Sequence, residues 1–401
     1  MLRRFQSKLG QIPSLIALHF FVGFVFWYGI EKIFLSDQLH IGPTGIAAIV
    51  TLYTVMTLFL DVPASVVSDR WGRRRMLIVS VICFIIANII LGSAQSFVVY
   101  LVGSAFWALF TVSFGGTFEA IMYDSLKEEK REKSFQKVDA WSRFFFMIGI
   151  SISSLTSGFL ADQFGLRSAY FLSAIPLVLA LLALLFITKE PCVHHDDDDA
   201  EATMKMGYFA HLMHAFRSVW RSKSLRLVTF AMIIMFFIQT PLYEFNQYIY
   251  IVLFQSPVLV GIFGGLAGFM LAVGFFIAIK RAFNPRVLLI LTGISITIVA
   301  LLSNNFSLIF LAFVLAGSAM LENALQTDLQ HATTSRTRAS VTSAVYFAGN
   351  VLIIPFVFIF GAIAERQSIW NAYLLNGVVV LALVAIYIVL QRSSRRSLVH
   401  E

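Results

Sequence analysis

Apolar residues in this chain run in long blocks, and the polar positions gather in short breaks between them. The run Leu77–Gly92, LIVSVICFIIANIILG, is apolar on every face, with no narrow stripe and no alternation. A segment greasy all round is buried in a large core or crosses a membrane, and crossing about 30 Å of hydrocarbon takes about 20 residues. Blocks of that length are predicted near 14–35, 45–68, 76–94, 97–124, 138–162 and 168–188, then near 225–248, 253–279, 286–303, 307–329, 340–364 and 369–391. The pattern therefore predicts an all-α membrane protein with twelve transmembrane helices. The one long polar stretch splits them six and six. This gives a first bundle over 1–188, a central loop over 189–223 and a second bundle over 224–401.

Composition agrees: 58% of the residues are hydrophobic and 13% charged, against about 25% charged in an ordinary soluble domain. The positions of lysine and arginine set an orientation. With both termini inside, all of the 30 basic residues except Lys32, Arg143, Arg167 and Arg366 fall in inner loops, as the positive-inside rule requires. Both ends are expected in the cytoplasm and the chain in the plasma (cytoplasmic) membrane. The net charge of +8 then reports topology and anionic lipid headgroups rather than a nucleic-acid partner. The first apolar span is too long for a signal peptide and lacks a small-residue cleavage site. Cys83 falls inside a helix and Cys192 in the central loop, so neither suggests a disulfide. His194, His195 and Asp196 to Asp199 offer donors to a divalent cation, but read better as a solvated linker. No metal or cofactor is expected. The basic amphipathic piece that follows is expected on the inner membrane surface.

The two halves resemble each other. A shift of 203 residues places Gly158 on Gly361, Tyr170 on Tyr373 and Glu119 on Glu322; near the start of each half a shift of 213 places Glu31 on Glu244. A two-fold axis along the membrane normal would make helices 1, 4, 7 and 10 equivalent, and each carries one of these glutamates. A carboxylate at such depth costs at least about 2.5–3.5 kcal/mol. It must be protonated, paired, or facing a wet cavity. Gly115 and Gly116 precede Glu119, and Ser318 and Ala319 precede Glu322, leaving room for water or substrate. Glu119 and Glu322, with Glu31 and Glu244 nearer the outer ends, are thus candidate proton and substrate sites. The alternative is that each pairs with a base or caps a helix end; Glu31 stands beside Lys32, and Glu244 in an already polar segment.

Between helices 2 and 3 the sequence reads Ser65-Val-Val-Ser-Asp69-Arg70-Trp-Gly72-Arg73-Arg74-Arg75. Gly72 permits a tight turn, and the arginines hold it at the headgroups. This stretch closely resembles the G-x-x-x-D-R-x-G-R-R signature of the Major Facilitator Superfamily, with Ser65 in place of the first glycine, and the resemblance covers essentially the whole chain. It implies two pseudo-symmetric six-helix bundles and a conformational latch. Asp69 would cap helix 11 and Arg73 would pair with Asp124 at the end of helix 4, with Arg70 and Gly72 completing the loop. The antiporter pattern of helix 5 is partly present, as Gly149-Ile-Ser-Ile-Ser153-Ser-Leu-Thr-Ser157-Gly158 without its proline. Thr111 stands where the family's helix 4 arginine would be. Arg143 either replaces that arginine or anchors helix 5 at the headgroups.

Trp27, Tyr28, Trp107, Tyr243, Asn323 and Tyr346 are further cavity candidates. Aromatic rings beside carboxylates suit lipophilic cations. The expected function is proton-coupled secondary transport by alternating access, exporting small amphipathic compounds in the manner of the drug–proton antiporters. The alternatives are proton-linked uptake of a sugar or organic acid, and a non-transporting sensor or lipid-handling protein of the same fold. No catalytic motif or phosphate loop appears, so an enzyme is not expected. The expected partners are a small-molecule substrate, protons and the lipid bilayer, around a monomer. A membrane-impermeant thiol reagent should label Cys192 only from the cytoplasmic side; labelling at Cys192 in intact cells would reverse the assigned orientation.

Overall fold

The structure is a computed structural model. It describes residues 10–186, 213, 216, 217, 219–281, 283–333 and 338–397. Cys192, the His194–Asp199 run and most of the central loop lie outside the described residues. The helices are α1 (Gln11–Gly23), α2 (Pro43–Trp71), α3 (Arg73–Ser93), α4 (Phe97–Glu128), α5 (Phe135–Phe164) and α6 (Leu166–Phe186). They continue as α7 (Lys223–Phe254), α8 (Pro257–Lys280), α9 (Pro285–Leu302), α10 (Ser307–Ala332), α11 (Arg338–Arg366) and α12 (Ile369–Ser397). Eleven of them contain a stretch long and apolar enough to cross a membrane, and α1 is a shorter apolar helix. Large apolar side chains such as Val98, Phe164, Phe313 and Val389 are mostly exposed, as suits a hydrocarbon surround.

The first segment departs from a single continuous span over 14–35. After Gly23 the α-helix stops, and the chain continues as a tight turn at Phe26–Gly29, one α-turn at Glu31–Ile33 and a wide turn at Phe34–Gln38. A break frees backbone groups that lipid cannot satisfy. Two serines supply partners: the Phe26 N–H donates to Ser173 Oγ (2.9 Å), and Ser153 Oγ donates to the Val25 carbonyl (3.0 Å). Trp27, wholly buried, donates from Nε1 to Asn88 Oδ1 (2.6 Å) and stacks on Tyr170 at 5.2 Å. In the second half the equivalent tyrosine, Tyr373, donates to the carbonyl of Pro241 inside α7 (3.1 Å). Each half thus sets one buried tyrosine against its first segment, at the break in the first half and at Pro241 of the continuous α7 in the second.

By packing, the chain divides into two compact units, Met1–His195 with Tyr250–Ala272, and Asp196–Ile249 with Val273–Glu401. Most of α8 therefore packs with the first unit. The cause is α5, whose small residues admit a helix on each of two faces. Toward α1, a Cβ on Gly23 would stand 2.5 Å from the Phe146 carbonyl oxygen, and one on Gly149 2.6 Å from that of Phe20. Toward α8, a Cβ on Gly261 would stand 2.6 Å from the Gly158 nitrogen, and Ser151 Oγ donates to the Gly265 carbonyl (2.8 Å). Such approaches are how membrane helices gain contact without a hydrophobic driving force. Gly149→Ala should cost about 1–3 kcal/mol by overpacking, visible as a lower unfolding temperature of the purified protein. Gly115→Ala, with nothing within 4 Å of the added carbon, should leave that temperature unchanged or higher. Equal behaviour of the two variants would contradict the close packing of α1 on α5.

Candidate functional site

Helix α4 buries one side, at Phe114, Phe118, Ile121 and Met122. On the other side Gly115, Gly116, Glu119 and Tyr123 are exposed. Both glycines border open space, so the glutamate that interrupts the apolar run does stand beside a clearing. It is also paired. Arg143 of α5 donates from Nη2 to Glu119 Oε1 (2.6 Å) and from Nε to Asp139 Oδ2 (2.9 Å). The guanidinium links a carboxylate of each of two helices, using the fixed fork that lysine lacks. One residue before Arg143, Ser142 Oγ lies 2.7 Å from His19 Nδ1 of α1. The imidazole sits between the rings of Phe118 and Phe146, each centred 4.5 Å away. Helices α1, α4 and α5 thereby converge on one polar cluster.

The second unit builds a sparser counterpart. Gln239 of α7 donates from Nε2 to Glu322 Oε2 of α10 (3.0 Å). Tyr243, one turn further along α7, is partly exposed, and Gln326, one turn past Glu322, hydrogen-bonds the hydroxyl of Tyr346 on α11. Asn323 is half-buried, and its carbonyl accepts from Thr327 Oγ1 (2.9 Å). Glu244 is half-buried on α7.

Glu31 lies elsewhere, inside the first bundle. It and Lys32 are 6% and 3% exposed. Lys32 Nζ donates to Glu31 Oε2 (2.7 Å), and the Tyr100 hydroxyl to Oε1 (2.7 Å). Charges so enclosed require partners, and these hold the rebuilt end of the broken α1 segment. Of the aromatic candidates, Trp27 belongs to the core, whereas Tyr28 and Trp107 are half-buried beside it.

The turn between α2 and α3 is made at Gly72, whose φ of 104° favours glycine and whose N–H closes α2 onto the Ser68 carbonyl (3.1 Å). Arg73 is thereby aimed at α4, where it pairs with buried Asp124 and donates to the Ala120 carbonyl (2.9 Å). Arg74 turns the other way, donating to the carbonyls of Leu184 and Leu185 at the end of α6. Arg70 is exposed, and the Asp69 side chain lies outside the described residues. Asp124, five residues after Glu119, is about 140° further round α4, so the two acids serve different faces.

Sequence reasoning did not single out His19, Asp139, Ser142, Gln239, Tyr100 or Gln326. Asp139 stands four residues before Arg143, the spacing of a same-face pair, and was legible. The others meet their partners only across helices.

Eleven membrane-length helices, with polar side chains set into α4, α7 and α10, define a polytopic membrane protein. Residues 14–356 match the Major Facilitator Superfamily, and the chain belongs to that family. It is 25% identical over 138 residues to an "Uncharacterized transporter" of Buchnera aphidicola subsp. Schizaphis graminum, covering 34% of each chain. It is likewise 25% identical over 134 residues to a "Probable 4-methylmuconolactone transporter" of Cupriavidus pinatubonensis, covering 33% of this chain and 31% of that one. These matches span about a third of the length of the curated relatives. Among solved structures, a point mutant of the nucleoside transporter NupG superposes with a TM-score of 0.74 at 14% identity, covering 95% of this chain and 100% of that one. A bacterial homolog of the human lysosomal transporter Spinster, inward-facing and occupied, gives 0.71 at 15% identity and 96% of each chain. At such identities these structures establish the fold alone.

Removing one partner of a buried ion pair leaves the other charge uncompensated, at about 3–5 kcal/mol. Arg73→Ala should therefore destabilise the purified protein by about that amount, and adding Asp124→Asn should recover part of it. Unfolding temperatures indistinguishable between wild type and Arg73→Ala would show that the pair is not buried as described.

Proposed function

We propose that the chain is a proton-coupled secondary transporter that works by alternating access and exports small amphipathic compounds. The carrying observation is the pair of repeat-related acids. Glu119 and Glu322 each stand in a membrane helix beside small residues and are held by a neighbouring polar side chain rather than sealed in the core. A carboxylate so placed binds a proton or a cationic solute at little further cost in desolvation. Tyr28, Trp107, Tyr243 and Tyr346 add ring faces suited to a lipophilic cation. Glu31, enclosed by Lys32 and Tyr100, serves the architecture of the α1 break in this reading, and Glu244 holds the equivalent position on α7. The Arg73–Asp124 pair belongs to the latch that steadies one end state of the cycle, together with Asp69, Arg70 and Gly72. Both termini lie in the cytoplasm, as the distribution of basic residues favours.

A second reading is proton-linked uptake of an organic acid. It is favoured by Arg143, a guanidinium able to receive a carboxylate, and by the relative named for a lactone. Proteoliposomes with an imposed pH gradient separate the two. Antiport accumulates ethidium in vesicles with an acidic lumen; symport accumulates 4-methylmuconolactone in vesicles with an alkaline one. In either case Glu119→Gln, which fixes a neutral side chain, should abolish pH-driven accumulation while sparing solute exchange at equal pH. Glu322→Gln should share the defect if both acids couple, and show a milder one if Glu322 only binds solute. Full pH-driven accumulation in both single variants and in the double variant would remove both acids from the coupling role.

A further inference from the structure

The cluster at Glu119 leaves one membrane carboxylate of the first unit unexplained. Asp61 lies in α2 within the run TLFLDVPAS, at the end of the portion of α2 long and apolar enough to cross a membrane. Among the described residues no side chain pairs or hydrogen-bonds with it.

Its position on the helix is informative. Seven residues are about two helical turns, so Thr54, Asp61 and Ser68 fall on one line along α2. Thr54 and Ser68 are 6% and 3% exposed. Thr57 donates to the Thr54 carbonyl (2.9 Å), and Ser68 Oγ accepts from Thr117 Oγ1 of α4 (2.9 Å). Ala64, one turn from Asp61 on the same side, packs with Val112 of α4 and Met76 of α3. The opposite side of α2 exposes Val55, Phe59 and Val67, as a lipid-facing surface should. Asp61 therefore points to the polar, packed side of its helix, and yet it is exposed while its neighbours along the line are enclosed. An exposed carboxylate on that side suits a recess open to water, since contact with hydrocarbon would be costly.

Among the described residues no fixed charge answers it there. Helix α2 packs against α3 and α4. The charged residues of α3 are Arg73, Arg74 and Arg75, all in its first turn, and those of α4 are Glu119, Asp124, Lys127 and Glu128. Arg73 is engaged by Asp124, Arg74 by the end of α6, and Glu119 by Arg143. The Ser68–Thr117 contact, with Ala64 on Val112 before it and Arg73 on Asp124 after it, sets the register of the parallel α2 and α4. It places Asp61 about two turns before Thr117, toward the middle of α4 and away from all of these groups. On α2 itself the next charges, Asp69 and Arg70, are more than two turns away.

We propose that Asp61 is a proton-binding site of the first bundle, reached by water and separate from the paired Glu119. A proton taken from water by the Asp61 carboxylate neutralises its charge, and the proton's return to water restores that charge. Proton binding stands apart from the transport reading; only its consequence, coupled flux, rests on it.

A protonated carboxyl in apolar surroundings gives its proton to a nitrogen of dicyclohexylcarbodiimide and adds through oxygen to the central carbon; acyl migration to nitrogen then leaves a stable N-acylurea. Applied to the purified full-length protein in lipid nanodiscs, it should modify Asp61, read by peptide mass spectrometry, with a yield that rises several-fold as pH falls. Glu31, held by Lys32 and Tyr100, should stay unmodified. No modification at Asp61 at any pH, or a yield that follows only the reagent's own pH dependence on a free carboxylate, would overturn the proposal. Flux decides the consequence separately. If Asp61 couples, pH-driven ethidium accumulation is lost in Asp61→Asn and regained in Asp61→Glu. If wild type shows no pH-driven flux, the transport reading fails while the labelling still decides whether Asp61 binds a proton.

Discussion

Hydrocarbon offers no hydrogen bond, and the rest of the molecule follows from that. Helices satisfy their own backbone, which is why the described membrane segments are helical. Where α1 breaks after Gly23, two serines from other helices take over the freed groups, and a buried tryptophan and tyrosine fill the gap. Buried hydroxyls elsewhere turn back on their own helix, as Ser104 does to the Tyr100 carbonyl and Ser318 to that of Leu315. The same constraint pairs the acids. Asp124 takes Arg73, Glu31 takes Lys32 and Tyr100, and Glu119 takes Arg143. Removing a partner from Asp124 or Glu31 would leave a buried charge uncompensated.

Because lipid is as apolar as the helices themselves, contact between them has to come from shape. Helix α5 shows how: Gly149, Ser151, Ser153, Ser157 and Gly158 present α1 and α8 with a surface low enough for backbones to touch. This places the carriers of chemistry. The approach of α1 to α5 brings His19 to Ser142, and the next residue of α5 brings Arg143 to Glu119. Packing by small residues and pairing of charges are two parts of one arrangement.

Much of this was legible in the sequence. Eleven of the twelve predicted spans are matched by membrane-length helices because runs apolar on every face leave no other fold. The turn at Gly72 could be read from the arginine loop, and the Arg73–Asp124 pair was implied by that loop's resemblance to the family signature. Glu119 beside open space could be read from Gly115 and Gly116. The break in α1 could not, since Phe24-Val-Phe-Trp-Tyr28 is as apolar as any helix and contains no proline; its partners, Ser153 and Ser173, lie over a hundred residues away. The repeat set Glu31 against Glu244 and Glu119 against Glu322 as candidate acids alike, yet Glu31 is enclosed, by Lys32 and Tyr100, and Glu119 is open. Asp61 was visible as a charge in the midst of an apolar run, and only the placement of Thr54 and Ser68 on its line shows which way it points.

In the proposed function, membrane carboxylates of this chain exchange protons as solute moves. The most direct measurement is lumenal pH in proteoliposomes of the wild-type protein, loaded with a pH-sensitive dye, as ethidium is added outside. Entry of ethidium should drive protons out and make the lumen more alkaline, in proportion to the solute taken up and not in protein-free vesicles. Ethidium entering through the protein while lumenal pH stays constant would contradict the account.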